Sequence, residues 1–173
     1  MPRSRCWDGR FTSDRALPAW LTARALETAD LASARALVAA HFAGTLYEAR
    51  ILEQLEIAAR GDDPECRGIV ALAPDEQRVR GFVLLGAVAG AEGVWKVHFL
   101  ISPERNVLTT LADVARQECR RADQRMLVCE LADDAPFDVT GQVLHELGFE
   151  EAGRVADYFR EGVALVVLTR RNP

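Results

Sequence analysis

Cysteine, histidine and, over one long stretch, glycine are scarce in this chain, and each shortage narrows the range of functions. Four cysteines, Cys6, Cys66, Cys119 and Cys129, occur in 173 residues. None forms a C-x-x-C pair, and none has a histidine at metal-ligand spacing. A zinc site or a disulfide framework is therefore not expected. No run of residues approaches the roughly 18 apolar positions of a membrane span. The first residues also lack the apolar segment of a secretory signal. The expectation is a reduced, cytoplasmic protein with no membrane partner. Positive charge is in short supply too: 21 Lys and Arg face 26 Asp and Glu, a net charge of −5. General nucleic-acid binding needs a basic face, and this balance argues against it. Arg116, Arg120, Arg121 and Arg125 cluster in sequence and read as a solvated helix face.

What is present is ordinary globular material, 49% apolar and 27% charged. The length suits one domain with a substantial core. Residues 1–18 are basic and polar without periodicity, and the expectation is a loose arm that Trp7, Phe11 and Trp20 pin in places to the surface. Residues 19–173 make the domain.

Residues 21–26 alternate weakly and suggest a first strand. Apolar spacing predicts a helix over 31–42, with Asp30 as N-cap and Gly44 as stop, and a second over 48–60. Gly61-Asp-Asp-Pro64 breaks the chain. Three strands follow, 67–73, 78–89 and 94–101, joined by tight turns at 74–77 and 90–93, which makes an antiparallel meander. Ser102-Pro103 ends the third strand. Residues 104–109 read as a turn, and Thr110 to Asp113 resembles a capping box opening a helix that reaches Ala122. A buried strand at 126–131 follows and should lie parallel to 94–101, because a helix connects them. Residues 133–138 form a loop, 139–147 a last helix with Gly148 after it. Strands at 149–155 and 163–169 are joined by a loop at 156–162.

A strand, a turn and a helix N-terminus can present backbone N–H groups to a phosphate. The stretch 94–122 has that order. It has no glycine, since none occurs between Gly93 and Gly141.

The ending from Leu144, Leu-His-Glu-Leu-Gly-Phe-Glu-Glu-Ala-Gly-Arg-Val-Ala-Asp-Tyr-Phe-Arg-Glu-Gly-Val-Ala-Leu-Val-Val-Leu168, resembles the GNAT superfamily of acyl-CoA-dependent N-acyltransferases. The order of elements over roughly residues 21–170 resembles it as well. The resemblance implies a mixed α/β (α+β) fold: a six- to seven-stranded, mostly antiparallel sheet with about four flanking helices. It implies acetyl-CoA or another acyl-CoA as co-substrate and an amine on a small molecule or peptide as acceptor. It assigns the backbone of Phe99, Leu100 and Ile101 to the pantetheine arm. Arg105, Asn106, Val107 and Leu108 fall in the pyrophosphate turn. Two departures stand out. The family's turn, Arg/Gln-x-x-Gly-x-Gly/Ala, is here Arg105-Asn-Val-Leu-Thr-Thr110, without glycine and about three residues shorter. The family's general-acid Tyr, four residues before the Gly, is here Leu144.

Strand alternation places Lys96, His98 and Leu100 on one face, with Trp95, Val97, Phe99 and Ile101 on the other. His98 has two readings: the general base of acyl transfer, since imidazole titrates near neutrality, or a structural residue on a half-buried face. Glu130 is a second base candidate or an arginine partner. His41 and His145 read as surface residues. Two functions stay open. One is an N-acyltransferase. The other is a catalytically degenerate relative that binds a protein partner or a second copy of itself as a homodimer.

Overall fold

Runs of Val, Ile, Leu and Phe punctuated by glycine turns pair into one sheet, because each run buries at least one face. The computed structural model describes residues 19–63, 65–73 and 78–172. The arm expected at 1–18, with Cys6, and the turn at 74–77 lie outside the described residues. The strands are β1 (Thr22–Ala25), β2 (Cys66–Leu72), β3 (Val79–Ala87), β4 (Val94–Ile101), β5 (Met126–Ala132), β6 (Glu150–Arg160) and β7 (Val163–Arg171). They form one seven-stranded sheet in the order β1-β2-β3-β4-β5-β7-β6. Only β4 and β5 are parallel; the other neighbours are antiparallel. The mixed, mostly antiparallel sheet is the expected one, and the parallel pair sits where the helical crossover requires it.

Four α-helices flank the sheet: α1 (Leu31–Phe42), α2 (Glu48–Arg60), α3 (Arg105–Arg121) and α4 (Asp138–Glu146). α1 packs on α2, and the pair covers β2 and β3; α3 packs on α4 and lies across β3 and β4. Val38, Ile51, Leu55, Phe82, Leu84, Leu111 and Leu127 are among the core side chains that lose nearly all contact with water. Each such aliphatic or aromatic side chain contributes about 1.5–3 kcal/mol by burial. Asp30 caps no N–H of α1. Its carboxylate instead takes the Arg24 guanidinium at 2.7 Å and the Glu27 N–H at 2.9 Å.

Two elements differ from the sequence reading. α3 opens at Arg105, directly after an extended Glu104, and not at Thr110. The capping-box likeness at Thr110 fails because its hydroxyl donates back to the Asn106 carbonyl inside the helix, at 2.9 Å. Burial of Val107 and Leu108 drives the earlier start. With Leu111, Ala112, Ala115 and Cys119 they complete one buried stripe at helical spacing. The second difference is β6, which runs on to Arg160 where a loop was expected from 156. Its pairing with β7 shifts between Val155 and Arg160, and Asp157 takes a left-handed φ of 53°. The Asp157 carboxylate then accepts the Gly162 N–H at 2.8 Å, closing the hairpin.

Gly81 lets α3 settle on the sheet. A Cβ there would meet the Ile101 carbonyl oxygen at 2.8 Å and Val107 Cγ1 at 2.9 Å. That direction also fixes the faces: from Gly81 onward, odd-numbered residues of β3 look toward α3, even-numbered ones toward α1 and α2. Gly81→Ala should destabilise the protein by about 1–3 kcal/mol, the usual cost of overpacking a filled site. Gly153→Ala, where a Cβ would meet nothing within 4 Å, should stay within about 0.5 kcal/mol of the parent. Urea denaturation of both variants checks the pair.

Candidate active site

β4 and β5 begin side by side and then part. Their parallel register runs from Val94↔Met126 to Val97↔Cys129 and stops, although β4 continues to Ile101 and β5 to Ala132. The cause lies on the other edge of β4. Leu85 pairs with Val97 and Leu84 with Phe99, so His98 is an extra residue, a β-bulge. A bulge bends and twists its strand. Beyond it Phe99, Leu100 and Ile101 follow β3, while β5 follows β7. A wedge opens, and the β5-facing edge of β4 loses its ladder partner.

The bulge also corrects the face assignment. Phe99 pairs with Leu84 and Lys96 with Gly86, so Phe99 shares the Lys96 face, toward α1 and α2. Leu100, opposite Val83, moves to the α3 face and is buried. Simple alternation fails because one inserted residue shifts every later side chain by one place.

A cavity of about 350 Å³ fills the wedge, with Lys96, His98, Phe99 and Leu100 on one wall and Glu130, Leu131 and Ala132 on the other. α2 and the residue pair before it supply Leu46, Tyr47, Arg50 and Gln54; the β6 end supplies Tyr158 and Phe159. Lys96 Nζ donates to Glu130 Oε2 at 2.5 Å, bridging the two strands where they separate. His98 has no hydrogen-bond partner among the described residues. Burial, then the positive charges of Lys96 and Arg50, push its pKa below the ordinary value of 6.5; Asp63 and Glu130 oppose this more weakly. Its imidazole is therefore neutral at neutral pH, with a lone pair free to accept a proton.

The Tyr47 hydroxyl donates to Asp134 Oδ2 at 3.0 Å, and Arg160 holds the same oxygen at 2.9 Å. Burial first, and then that bond, push the Tyr47 pKa up to about 12. Its ring packs edge-on to Phe137 at 5.0 Å and to Phe159 at 5.7 Å. Leu144, only 1% exposed, lies in the core and supplies no acid. Tyr158 belongs to β6 and not to a loop, and it is 58% exposed. His41 and His145 lie on exposed helix positions.

The α3 end offers an anion little. Val107 and Leu108 are buried. The Val107 N–H donates to Asn106 Oδ1 at 2.9 Å, and the Leu108 N–H to the Glu104 carbonyl at 3.0 Å. The N–H groups of Arg105 and Asn106 remain. The Arg105 guanidinium reaches away to Gln142 and Glu146 on α4. Glu104, beside this end, pairs with Arg80, which holds its carboxyl below the usual carboxylate range and so keeps it charged. The edge of β4 beyond Val97 has no strand partner on the β5 side; the α3 end presents two free backbone N–H groups beside a charged carboxylate. Among the described residues, no group of three or more His, Cys, Asp or Glu is placed to hold a metal.

Comparisons with known proteins bear on the fold. No protein-family model matches the chain, and no curated protein matches it in sequence. Solved structures do match. A protein of Desulfovibrio desulfuricans assigned to the GNAT family of acetyltransferases superposes with a TM-score of 0.75 at 17% identity, over 87% of this chain and 98% of that one. The chain has the GNAT fold. The ribosomal-protein-S18-alanine N-acetyltransferase of Escherichia coli gives a TM-score of 0.69 at 13% identity, over 87% of this chain and 93% of that one. YncA of Salmonella typhimurium, solved with its cofactor acetyl-CoA, gives 0.67 at 15% identity, over 87% and 93%.

Tyr47, Arg50, Gln54, Phe137 and Phe159 line the cavity, and the sequence reading did not single them out. Tyr47, Arg50 and Gln54 recur at i, i+3 and i+7 beside the buried stripe of Ile51, Leu55 and Ala58. That spacing was a signal for a shared helix face.

The lowered pKa of His98 links the site to stability. The folded value lies below the unfolded one, so the unfolded chain takes the proton first as pH falls. Stability from neutral His98 is complete above about pH 6.5 and declines as pH falls toward the folded value. His98→Gln should flatten this decline, and urea midpoints at a neutral and a mildly acid pH measure it. An equally steep decline in the variant would contradict the assignment.

Proposed function

We propose that the chain is an N-acyltransferase that moves an acyl group from a thioester to an amine in the β4–β5 wedge. The observation that carries this reading is the bulge at His98. It frees a strand edge and sets a neutral, unpartnered imidazole on the resulting cavity. A bound acyl thioester, acetyl-CoA or another acyl-CoA, supplies an electrophilic carbonyl and a thiolate leaving group. Backbone groups of Phe99, Leu100 and Ile101 on the open edge align the thiol arm as an added strand would. His98 takes the proton that the amine must lose as it attacks. Burial first, and then the positive charges of Lys96 and Arg50, hold the imidazole neutral between turnovers. A thiol of ordinary acidity, pKa about 8.5, leaves readily as the anion. The missing acid at Leu144 therefore costs less than it would for an alkoxide.

The grip on the donor is concentrated at its thioester end. Arg105 and Asn106 offer a helix terminus worth roughly 0.3–1 kcal/mol to an anion, and Glu104 opposes it. Val107 and Leu108 contribute to the core and not to the donor site. A second reading has its own observation: the charged Glu104 at the α3 end favours a domain that has given up the donor and binds a protein partner or a second copy of itself.

Thiol release from acetyl-CoA with a panel of small amines and peptides tests the proposal. Release should depend on the amine. His98→Gln should lower kcat about 10²- to 10⁴-fold, the usual contribution of a general base, and leave acetyl-CoA affinity unchanged. No release at millimolar donor with any amine would favour the binding module. Full activity of the variant would remove His98 from the chemistry.

A further inference from the structure

The polar groups on the cavity divide into those engaged by the protein and those free to meet a ligand. Lys96 and Glu130 are engaged with each other. The Tyr47 hydroxyl is engaged with Asp134, which Arg160 also holds. Arg50 and Gln54 make no hydrogen bond or ion pair among the described residues, although other arginines nearby, such as Arg60 and Arg160, have carboxylate partners. The two side chains stand one turn apart on α2 and line the same cavity as His98. Arg50 is exposed, and its guanidinium suits a carboxylate, because its fork of N–H donors fits two oxygens at once. The rest of the lining is apolar. Phe137 and Phe159 pack around Tyr47. At the mouth, Leu46 and Tyr158 stay 51% and 58% exposed, with no protein surface covering them.

Building on the acyl-transfer reading, we propose that the acceptor is an amino-acid-like amine, with its carboxylate on Arg50 and Gln54 and its apolar or aromatic body against Tyr47, Phe159 and Tyr158. The carboxylate fixes one end of the acceptor on α2, and the aromatic wall directs the amine toward His98. A cavity of about 350 Å³ is at the small end of the range of roughly 300–1,000 Å³ for small-molecule sites, which suits one such residue. A carboxylate on Arg50 also cancels one of the two cations that depress His98, so acceptor binding makes the base stronger when it is needed.

Calorimetric titration of the full chain with L-phenylalanine, L-phenylalaninamide and 2-phenylethylamine tests this, with acetyl-CoA titrated in parallel. The three amines share a ring, and only the first carries a carboxylate. Phenylalanine should bind at least about tenfold tighter than the other two. Arg50→Gln, an exposed helix position where Gln is well tolerated, should bring the three within about twofold. Equal binding of all three, no binding of any at millimolar concentration, or a carboxylate preference unchanged in Arg50→Gln would overturn the assignment. Thiol release with 2-phenylethylamine as efficient as with phenylalanine would also overturn it and leave acyl transfer standing. Selective phenylalanine binding with no thiol release would do the reverse.

Discussion

One extra residue in β4 governs the shape of the half of the sheet that holds the cavity. Before His98, β4 has ladder partners on both edges; after it, β4 keeps only β3. Each outer neighbour draws its strand away from the gap, β3 on one side and β7 on the other. α3 carries the chain from the C-terminal end of β4 back to the N-terminal end of β5, where Met126 pairs with Val94, so the strands pair at their N-terminal ends and the wedge widens toward their C-terminal ends. Gly81 and Val107 hold that geometry, since the helix start lies against the strand bearing the bulge. The Lys96–Glu130 ion pair spans the point of divergence. Both side chains are only partly exposed, and a partly buried charge is less costly paired than alone.

The two ends of the proposed donor site differ in chemistry. At the wedge, an unpaired strand edge, a neutral imidazole and an apolar wall suit a thioester and an amine. At the α3 terminus, a three-residue link from Ile101 to Arg105 leaves no loop of N–H groups. Glu104 adds a negative charge where a diphosphate would bring more. The burial that begins α3 early, through Val107 and Leu108, also removes those residues from any ligand. Val107 and Leu108 are buried in the first turn, while Arg105 and Asn106 stay exposed at its end.

Most of the sheet was legible from the sequence, because glycine turns and apolar runs report pairing between neighbours in the chain. The parallel β4–β5 pair was legible from the helix between them. The start of α3 was misplaced because Thr110 and Asp113 imitate a cap, while the buried stripe reaching back to Val107 outweighs that local signal. The bulge was not legible. Val94 to Ile101 is an uninterrupted strand pattern, and a bulge exists only relative to the partner strand. Faces drawn by simple alternation were therefore right for Lys96 and wrong for Phe99, Leu100 and Ile101. His98 was singled out as a lone titratable group on a strand. Arg50 and Gln54 were not, because their significance depends on which partners they lack once the chain is folded. Tyr158 was read as a loop residue because the left-handed Asp157 beside it lets the strand continue through a position where L-residues rarely go.

The claim that the thioester end of the donor site is kept and the diphosphate end is not has a direct measurement. Acetyl-CoA and S-acetylpantetheine share the thioester and the arm, and only the first carries the diphosphate and nucleotide. Their dissociation constants should agree within about fivefold, the most that about 1 kcal/mol from a helix terminus provides. Acetyl-CoA binding a hundredfold tighter than S-acetylpantetheine would show a working diphosphate site and contradict the account.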